Sequence, residues 1–198
     1  GFVWVGGWGS GLARLDECTG QFKHYPFDQN DPNKLITDAI IAIYEDRSGN
    51  LWVGHNMGLS RFDRDTEQFT SWTPDPDDPA SIGGHSVKAI YQDRSGTIWF
   101  GTWEGVLNRL DEKSENIVNY VPNARDPHSL NGGSIYTICE DNTGALWVGG
   151  SDGLYRFNRE KETFTRFTES QGLPSTNIAG ILKDNGGRLS LSPKKGLS

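Results

Sequence analysis

The side chains best able to do chemistry in this sequence sit in short glycine-bounded turns. Four such turns carry Trp8 and Ser10, His55 and Asn56, Trp103 and Glu104, and Ser151 and Asp152, and no two of them are alike. Longer connections rich in Pro and Asp add His85 and His128, with Asp75, Arg125 and Asn131 nearby. Indoles beside amides, carboxylates and imidazoles suit a polar ligand such as a glycan, because a rigid ring gives contact area and a few polar groups fix orientation. The ligand-binding candidates are therefore Trp8, His55, Asn56, Trp103, Glu104, Asp152, His85 and His128. Neutral variation among surface loops would leave the same pattern. A histidine and a carboxylate from neighbouring turns, His55 with Glu104, could also serve as a general acid/base pair, though spacing alone does not establish one. The histidines show no H-x-x-x-H or H-E-x-x-H spacing, the cysteines no C-x-x-C, and no nucleophile elbow occurs. No catalytic residue, metal site or cofactor is assigned.

The elements that would position these residues announce themselves by repetition. Trp4, Trp52, Trp99 and Trp147 are separated by 48, 47 and 48 residues, and each is followed two positions later by Gly. A unit of this length builds one small sheet that cannot bury its own core, so neighbouring units must supply it. Within a unit the order is an apolar strand a (39–45, AIIAIYE), a turn, the Trp strand b (50–54), a turn, strand c (59–63) and strand d (68–72). Such a meander reads as an antiparallel blade. The strands expected next are 86–92, 97–101, 106–111 and 116–121, then 134–140, 145–149, 153–158 and 163–168. The chain opens on a Trp strand with no strand a before it. A fifth copy begins at 177–183 and 188–192, but Ser190 stands where Trp is expected and Ser192 where Gly is, and the sequence stops at Gly196-Leu197-Ser198, inside an expected strand c.

The reading is an all-β chain, a partial β-propeller of four-stranded antiparallel blades: about four blades in an open arc. Blade 1 is partial at 1–25, blade 2 spans 39–72, blade 3 86–121, blade 4 134–168, and blade 5 is partial at 177–198. A linear β-solenoid is the alternative; the uniformly apolar a strands, fit to line a central channel, favour the propeller. Closure into a small ring by pairing 177–183 with the Trp4 strand is a further possibility to be tested. In a meander of this kind the b–c turns and d–a connections open on one face, which is where every variable residue named above falls.

Recurring residues read as scaffold. Asp46/Gly49, Asp93/Gly96, Asp141/Gly144 and Asp184/Gly187 frame the a–b turns. Asp there can accept backbone N–H bonds two residues on, and Gly takes positive φ; calcium binding is the competing role. The strand tryptophans and their glycines read as a packing device between blades. Arg14, Arg61, Arg109 and Arg156 share one position in strand c, which suggests a salt bridge or hydrogen bond between blades, with anion binding as the alternative.

Charge and composition narrow the partners. A formal charge of −7 over 198 residues, with no Lys/Arg run, disfavours nucleic acid and anionic membranes. No apolar run approaches the roughly 20 residues of a membrane helix, and no signal peptide precedes Gly1, an absence that truncation would also produce. Cys18 and Cys139 fall in distant repeats and are expected as free thiols.

The segments EDRSGNLWVGHNMGLSRFD (45–63), YQDRSGTIWFGTWEGVLNRL (91–110) and EDNTGALWVGGSDGLYRFN (140–158) resemble the two-component regulator propeller repeat, as do the D-P-x-S-[LI] connections at Asp78 to Ile82 and Asp126 to Leu130. The resemblance implies an extracytoplasmic, periplasmic sensor region of a bacterial membrane receptor such as a hybrid histidine kinase or a diguanylate cyclase, some of which resemble glycan sensors of gut bacteria. It implies propellers of about seven blades, followed by a β-sandwich, a membrane helix and a signalling domain, so that this chain is a fragment whose link to the membrane lies downstream. It implies sensing of a small molecule or oligosaccharide without catalysis, in a receptor that could be a homodimer. A streptogramin-lyase-like enzyme, with a His and an acid near magnesium, and a structural or protein-binding propeller are the other readings.

Overall fold

The computed structural model describes residues 1–111 and 116–193. Among the described residues seventeen strands form five antiparallel sheets. Blade 1 has three strands, β1 (Phe2–Gly7), β2 (Gly11–Asp16) and β3 (Phe22–Tyr25). Blade 2 is β4 (Ile40–Glu45), β5 (Leu51–His55), β6 (Gly58–Phe62) and β7 (Phe69–Trp72). Blade 3 is β8 (Val87–Gln92), β9 (Ile98–Thr102), β10 (Leu107–Asp111) and β11 (Asn116–Tyr120), and blade 4 is β12 (Ile135–Glu140), β13 (Leu146–Gly150), β14 (Gly153–Asn158) and β15 (Thr163–Phe167). Blade 5 shows β16 (Ile178–Lys183) and β17 (Leu189–Pro193) as a two-stranded sheet, and the strand c expected at 196–198 lies outside the described residues. Strands β4, β8, β12 and β16 follow one another along the inside, each touching the next. Strand β1 pairs with β2 and β16 with β17, so the alternative of a small closed ring is not realised and the blades form the expected open arc.

Blade stacking depends on the glycine in each b strand. A Cβ on Gly6 would lie 2.5 Å from Ile40 Cγ2, on Gly101 2.2 Å from Ile135 Cγ2, and on Gly149 2.8 Å from Ile178 Cγ2. On Gly54 it would meet the Val87 carbonyl at 2.7 Å. The missing side chain is thus the space into which the next blade's first β-branched residue fits. Beside it, Trp52 and Trp99 are fully buried, and Trp99 meets Phe157 of the next blade edge-on at 5.4 Å.

The a–b turns explain the Asp. In blade 3, Asp93 Oδ1 accepts the amides of Ser95 and Thr97 at 3.0 and 3.1 Å, while Oδ2 accepts the Trp99 indole N–H at 2.8 Å. The same indole bond recurs at 2.8 Å from Trp52 to Asp46 and from Trp147 to Asp141. Burial opposes the charge on these carboxylates, but the hydrogen bonds outweigh it and hold all three pKa values down, Asp141 to about 2. With their oxygens taken by donors, these residues are turn fasteners. In blade 5, where Trp is absent, Arg188 Nε reaches Asp184 Oδ2 at 3.1 Å in its place.

Of the strand c arginines, Arg109 makes the expected salt bridge between blades, to Glu162 of blade 4 at 3.2 Å. Each of these arginines also stacks over the tryptophan opposite it in its own blade, Arg61 over Trp52 at 5.8 Å and Arg156 over Trp147 at 5.9 Å. Further ties between blades come from the a–b turns. Arg47 N–H donates to Gln92 Oε1 at 3.0 Å, and Arg94 donates to the Asp141 and Asn142 carbonyls at 2.9 and 3.0 Å. A turn can reach across because it projects beyond the sheet. Cys18 is exposed and Cys139 buried, and both are free.

Candidate functional site

The b–c turns are clamped to the start of their own inner strands. Asn56, Trp103 and Ser151 donate their amides to the carbonyls of Ala39, Ser86 and Ser134 at 3.4, 2.9 and 2.9 Å. The blade 3 turn is held twice, because the Ser134 hydroxyl of blade 4 also donates to the Trp103 carbonyl at 2.6 Å. Gly105 closes this turn at φ +82°, and a Cβ there would lie 2.7 Å from the Gly133 carbonyl. The backbone is fixed while the indole of Trp103 stays 57% exposed.

Trp8 occupies the equivalent turn position of blade 1 and is 71% exposed. The arc brings the two indoles to one cleft of about 510 Å³, lined by Trp8, Ile41, Ser86, Lys88 and Trp103. The Lys88 ammonium lies 3.5 Å from the centre of the Trp103 ring and 5.1 Å from that of Tyr136. Lys88 departs from the expectation of uniformly apolar a strands. It can do so because β8 is bulged between Val87 and Ala89, which takes the intervening side chain out of the alternation.

Of the other candidates, Glu104 and His85 come together beside Trp103. Glu104 Oε2 accepts the His85 amide at 3.2 Å and Oε1 lies 4.0 Å from His85 Nδ1, both residues being exposed. The imidazole near Glu104 is therefore that of His85, and the pairing with His55 is corrected.

His55 is not a turn residue at all. It ends β5 on the inward face of Leu51 and Val53 and is fully buried. The Met57 amide donates to Nδ1 at 3.2 Å, which leaves the proton on Nε2, 2.9 Å from Ser60 Oγ, itself 2.7 Å from Ser71 Oγ. Burial lowers the His55 pKa to about 4. Period-two alternation through Leu51, Val53 and His55 was the available signal.

Asn56 accepts the Thr37 hydroxyl at 3.0 Å and is half-buried. Asp152 is taken up within blade 4, where Oδ2 accepts the Tyr155 hydroxyl at 2.8 Å and lies 3.6 Å from Arg166 Nη2. His128 is exposed but stands against the outer edge of blade 4, its carbonyl accepting the Phe164 amide at 2.7 Å. Phe164 pairs with Phe157, three residue steps from the b–c end, so the long connection descends along the sheet edge instead of staying on the turn face. Lys88, Ser86, Ile41 and Tyr136 were absent from the sequence-based candidates, because an inner strand looked like lining and nothing more. Among the described residues no group of three or more His, Cys, Asp or Glu could hold a metal ion.

This geometry sits on a repeat with known relatives. The family model described as two component regulator propeller matches residues 34–57, 81–104 and 129–152, each running from a d–a connection into the b–c turn. Blades 2, 3 and 4 carry two component regulator propeller repeats. No curated protein sequence matches it. The extracellular domain of the hybrid two component system BT3049 from B. thetaiotaomicron superposes with a TM-score of 0.78 at 23% identity, over 98% of this chain and 24% of that one. The extracellular domain of BT4673 from the same organism gives 0.77 at 21% identity, over 96% and 24%. Virginiamycin B lyase from Staphylococcus aureus gives 0.71 at 19% identity, over 96% and 59%. At these identities the likeness is one of fold. The propeller chain spans about a quarter of the length of the two-component extracellular domains it matches.

Proposed function

We propose that this arc is part of the extracytoplasmic, non-catalytic sensor propeller of a bacterial signalling receptor, and that the cleft between Trp8 and Trp103 takes an oligosaccharide. One observation carries the reading: two largely exposed indoles, from blades that are not neighbours, line one cleft on a rigidly clamped turn face. Indoles so placed offer flat apolar faces to the C–H faces of sugar rings, and Ser86 and Lys88 offer polar atoms to the hydroxyls. Trp8, Ile41 and Lys88 belong to blades 1, 2 and 3, so a bound ligand would fix the angles between blades. A ligand that prefers one arrangement of the blades shifts the population toward it, which is the physical content of sensing. Relay of that shift would run through membrane and output regions downstream, in a receptor that could pair as a homodimer.

The test is a fluorescence titration of the chain with a panel of plant and host oligosaccharides. Saturable change in wild type, its loss in Trp8→Ala and Trp103→Ala, and unaltered saccharide recovered afterwards are expected. Absence of saturable change across the panel would sink the reading. The His85–Glu104 pair and the likeness to virginiamycin B lyase favour a second, enzymatic reading. Turnover of a streptogramin that EDTA abolishes would establish it in place of the first.

A further inference from the structure

We infer that this cleft selects a saccharide bearing a negative charge, as carboxylate or sulfate ester, and that Lys88 is the residue that reads the charge; the inference rests on the glycan-binding role proposed above. The placement of Lys88 follows a rule that repeats through the fold. Each inner strand is bulged at the same point, between Ile40 and Ala42, Val87 and Ala89, Ile135 and Thr137, and Ile178 and Gly180. The extra residues are Ile41, Lys88, Tyr136 and Ala179. On either side the strands barely vary, with a β-branched residue before the bulge and a small one after it. A bulge re-aims the side chain that it removes from the ladder. This is therefore the position at which a blade can change what it shows the cleft without disturbing the stacking of Ile135 on Gly101 or of Val87 on Gly54.

Among the described lining residues Lys88 is the charged one. Its ammonium is already held over two aromatic faces, 3.5 Å from Trp103 and 5.1 Å from Tyr136. Those rings would otherwise suit a cationic ligand, and the resident ammonium repels one. An ammonium resting on aromatic carbon and half-buried is also less hydrated than one in bulk water, so its attraction to an incoming anion is screened less. The chain as a whole carries −7 and gives an anion no general attraction. Beyond about 8 Å at physiological salt that background is screened, which leaves the local charge to decide.

The experiment is calorimetric titration of the chain with α-1,4-linked trigalacturonate, its methyl ester, a neutral galactose trisaccharide and a sulfated disaccharide. Wild type is expected to bind at least one of the two charged probes about tenfold or more tighter than the neutral ones, and the tighter of the two identifies carboxylate or sulfate. Lys88→Met, with an unchanged circular dichroism spectrum, should lose the preference while still binding neutral sugar, and Lys88→Arg should retain it. Equal affinity for charged and neutral probes in wild type, or a preference that survives in Lys88→Met, would overturn the charge inference and leave the glycan reading standing. Failure of every saccharide to bind would overturn both.

Discussion

Trp99 and Trp103 lie in the same hairpin and do opposite work. Trp99 is fully buried, hydrogen-bonded to Asp93 and packed on Phe157, so Trp99→Ala should cost about 3–5 kcal/mol and unfold the chain. Trp103 is 57% exposed, and Trp103→Ala should change stability by about 0.5 kcal/mol or less. Denaturation midpoints decide it: equal destabilisation by the two would defeat the division into scaffold and site. His55 gives a pH-dependent counterpart. Its folded pKa of about 4 lies below the value near 6.5 expected when unfolded, so the unfolded chain binds the extra proton between them. Stability is then complete above pH 6.5 and falls as pH drops to 4, by up to about 3 kcal/mol. His55→Thr, copying the buried Thr102 at the equivalent place in blade 3, should flatten that slope in denaturant midpoints measured at pH 7 and 4.5. An unchanged slope would mean that His55 does not set it. The Asp46, Asp93 and Asp141 pKa values are shifted downward like that of His55, so their stability is likewise lost on acidification, but it is present above about pH 3.8 and lost below it, which leaves the His55 window clear.

At the level of the strand and turn, much could be read in the sequence because a repeat gives every position several witnesses. The four strands of a blade, the turn Asp and the Gly beside Trp each recur, and the structure gives each a physical task. What could not be read depends on pairing across strands or on depth. The bulge that presents Lys88 exists only once β8 is registered against β9. The end of β5 at His55, one residue later than the turn chemistry suggested, moved a candidate from the surface to the core. His128 was misplaced because a Pro- and Asp-rich connection can run down a sheet edge as readily as over a face. The Gly-to-blade interlock is the element most open to test. Gly101→Ala puts a methyl group 2.2 Å from Ile135 Cγ2 and should cost about 1–3 kcal/mol or more by overpacking. Gly180→Ala, whose Cβ would find its nearest atom, Ser192 Cβ, at 3.8 Å, should be tolerated. Similar losses in both would argue that the glycines matter for backbone freedom and not for blade approach.

For the whole molecule, an arc of blades distributes stability unevenly. In a repeat array each unit is held by its own sheet and by its neighbours. Blades 2, 3 and 4 have four strands and a blade on either side, whereas blade 1 shows three strands with Phe2 54% and Val5 48% exposed. Blade 5 shows a two-stranded sheet among its described residues, with Ser190 in the tryptophan position and Leu182 73% exposed. Amide hydrogen exchange should therefore protect β9 and β13 most, with β16, β17 and the unpaired inner edge of β1 exchanging first. The same geometry sets the size of the particle. A compact domain of 198 residues has a radius of gyration of about 16 Å. An arc without the pairing of β1 to β16 must exceed that at infinite dilution, and its apolar ends should drive the apparent size up with concentration. Small-angle scattering that extrapolates to about 16 Å, together with strong exchange protection in β1 and β16, would mean that the two ends meet in solution. In that case the Trp8–Trp103 cleft would be one sector of a closed mouth, and its ligand would be read by the bulge residues of every blade at once.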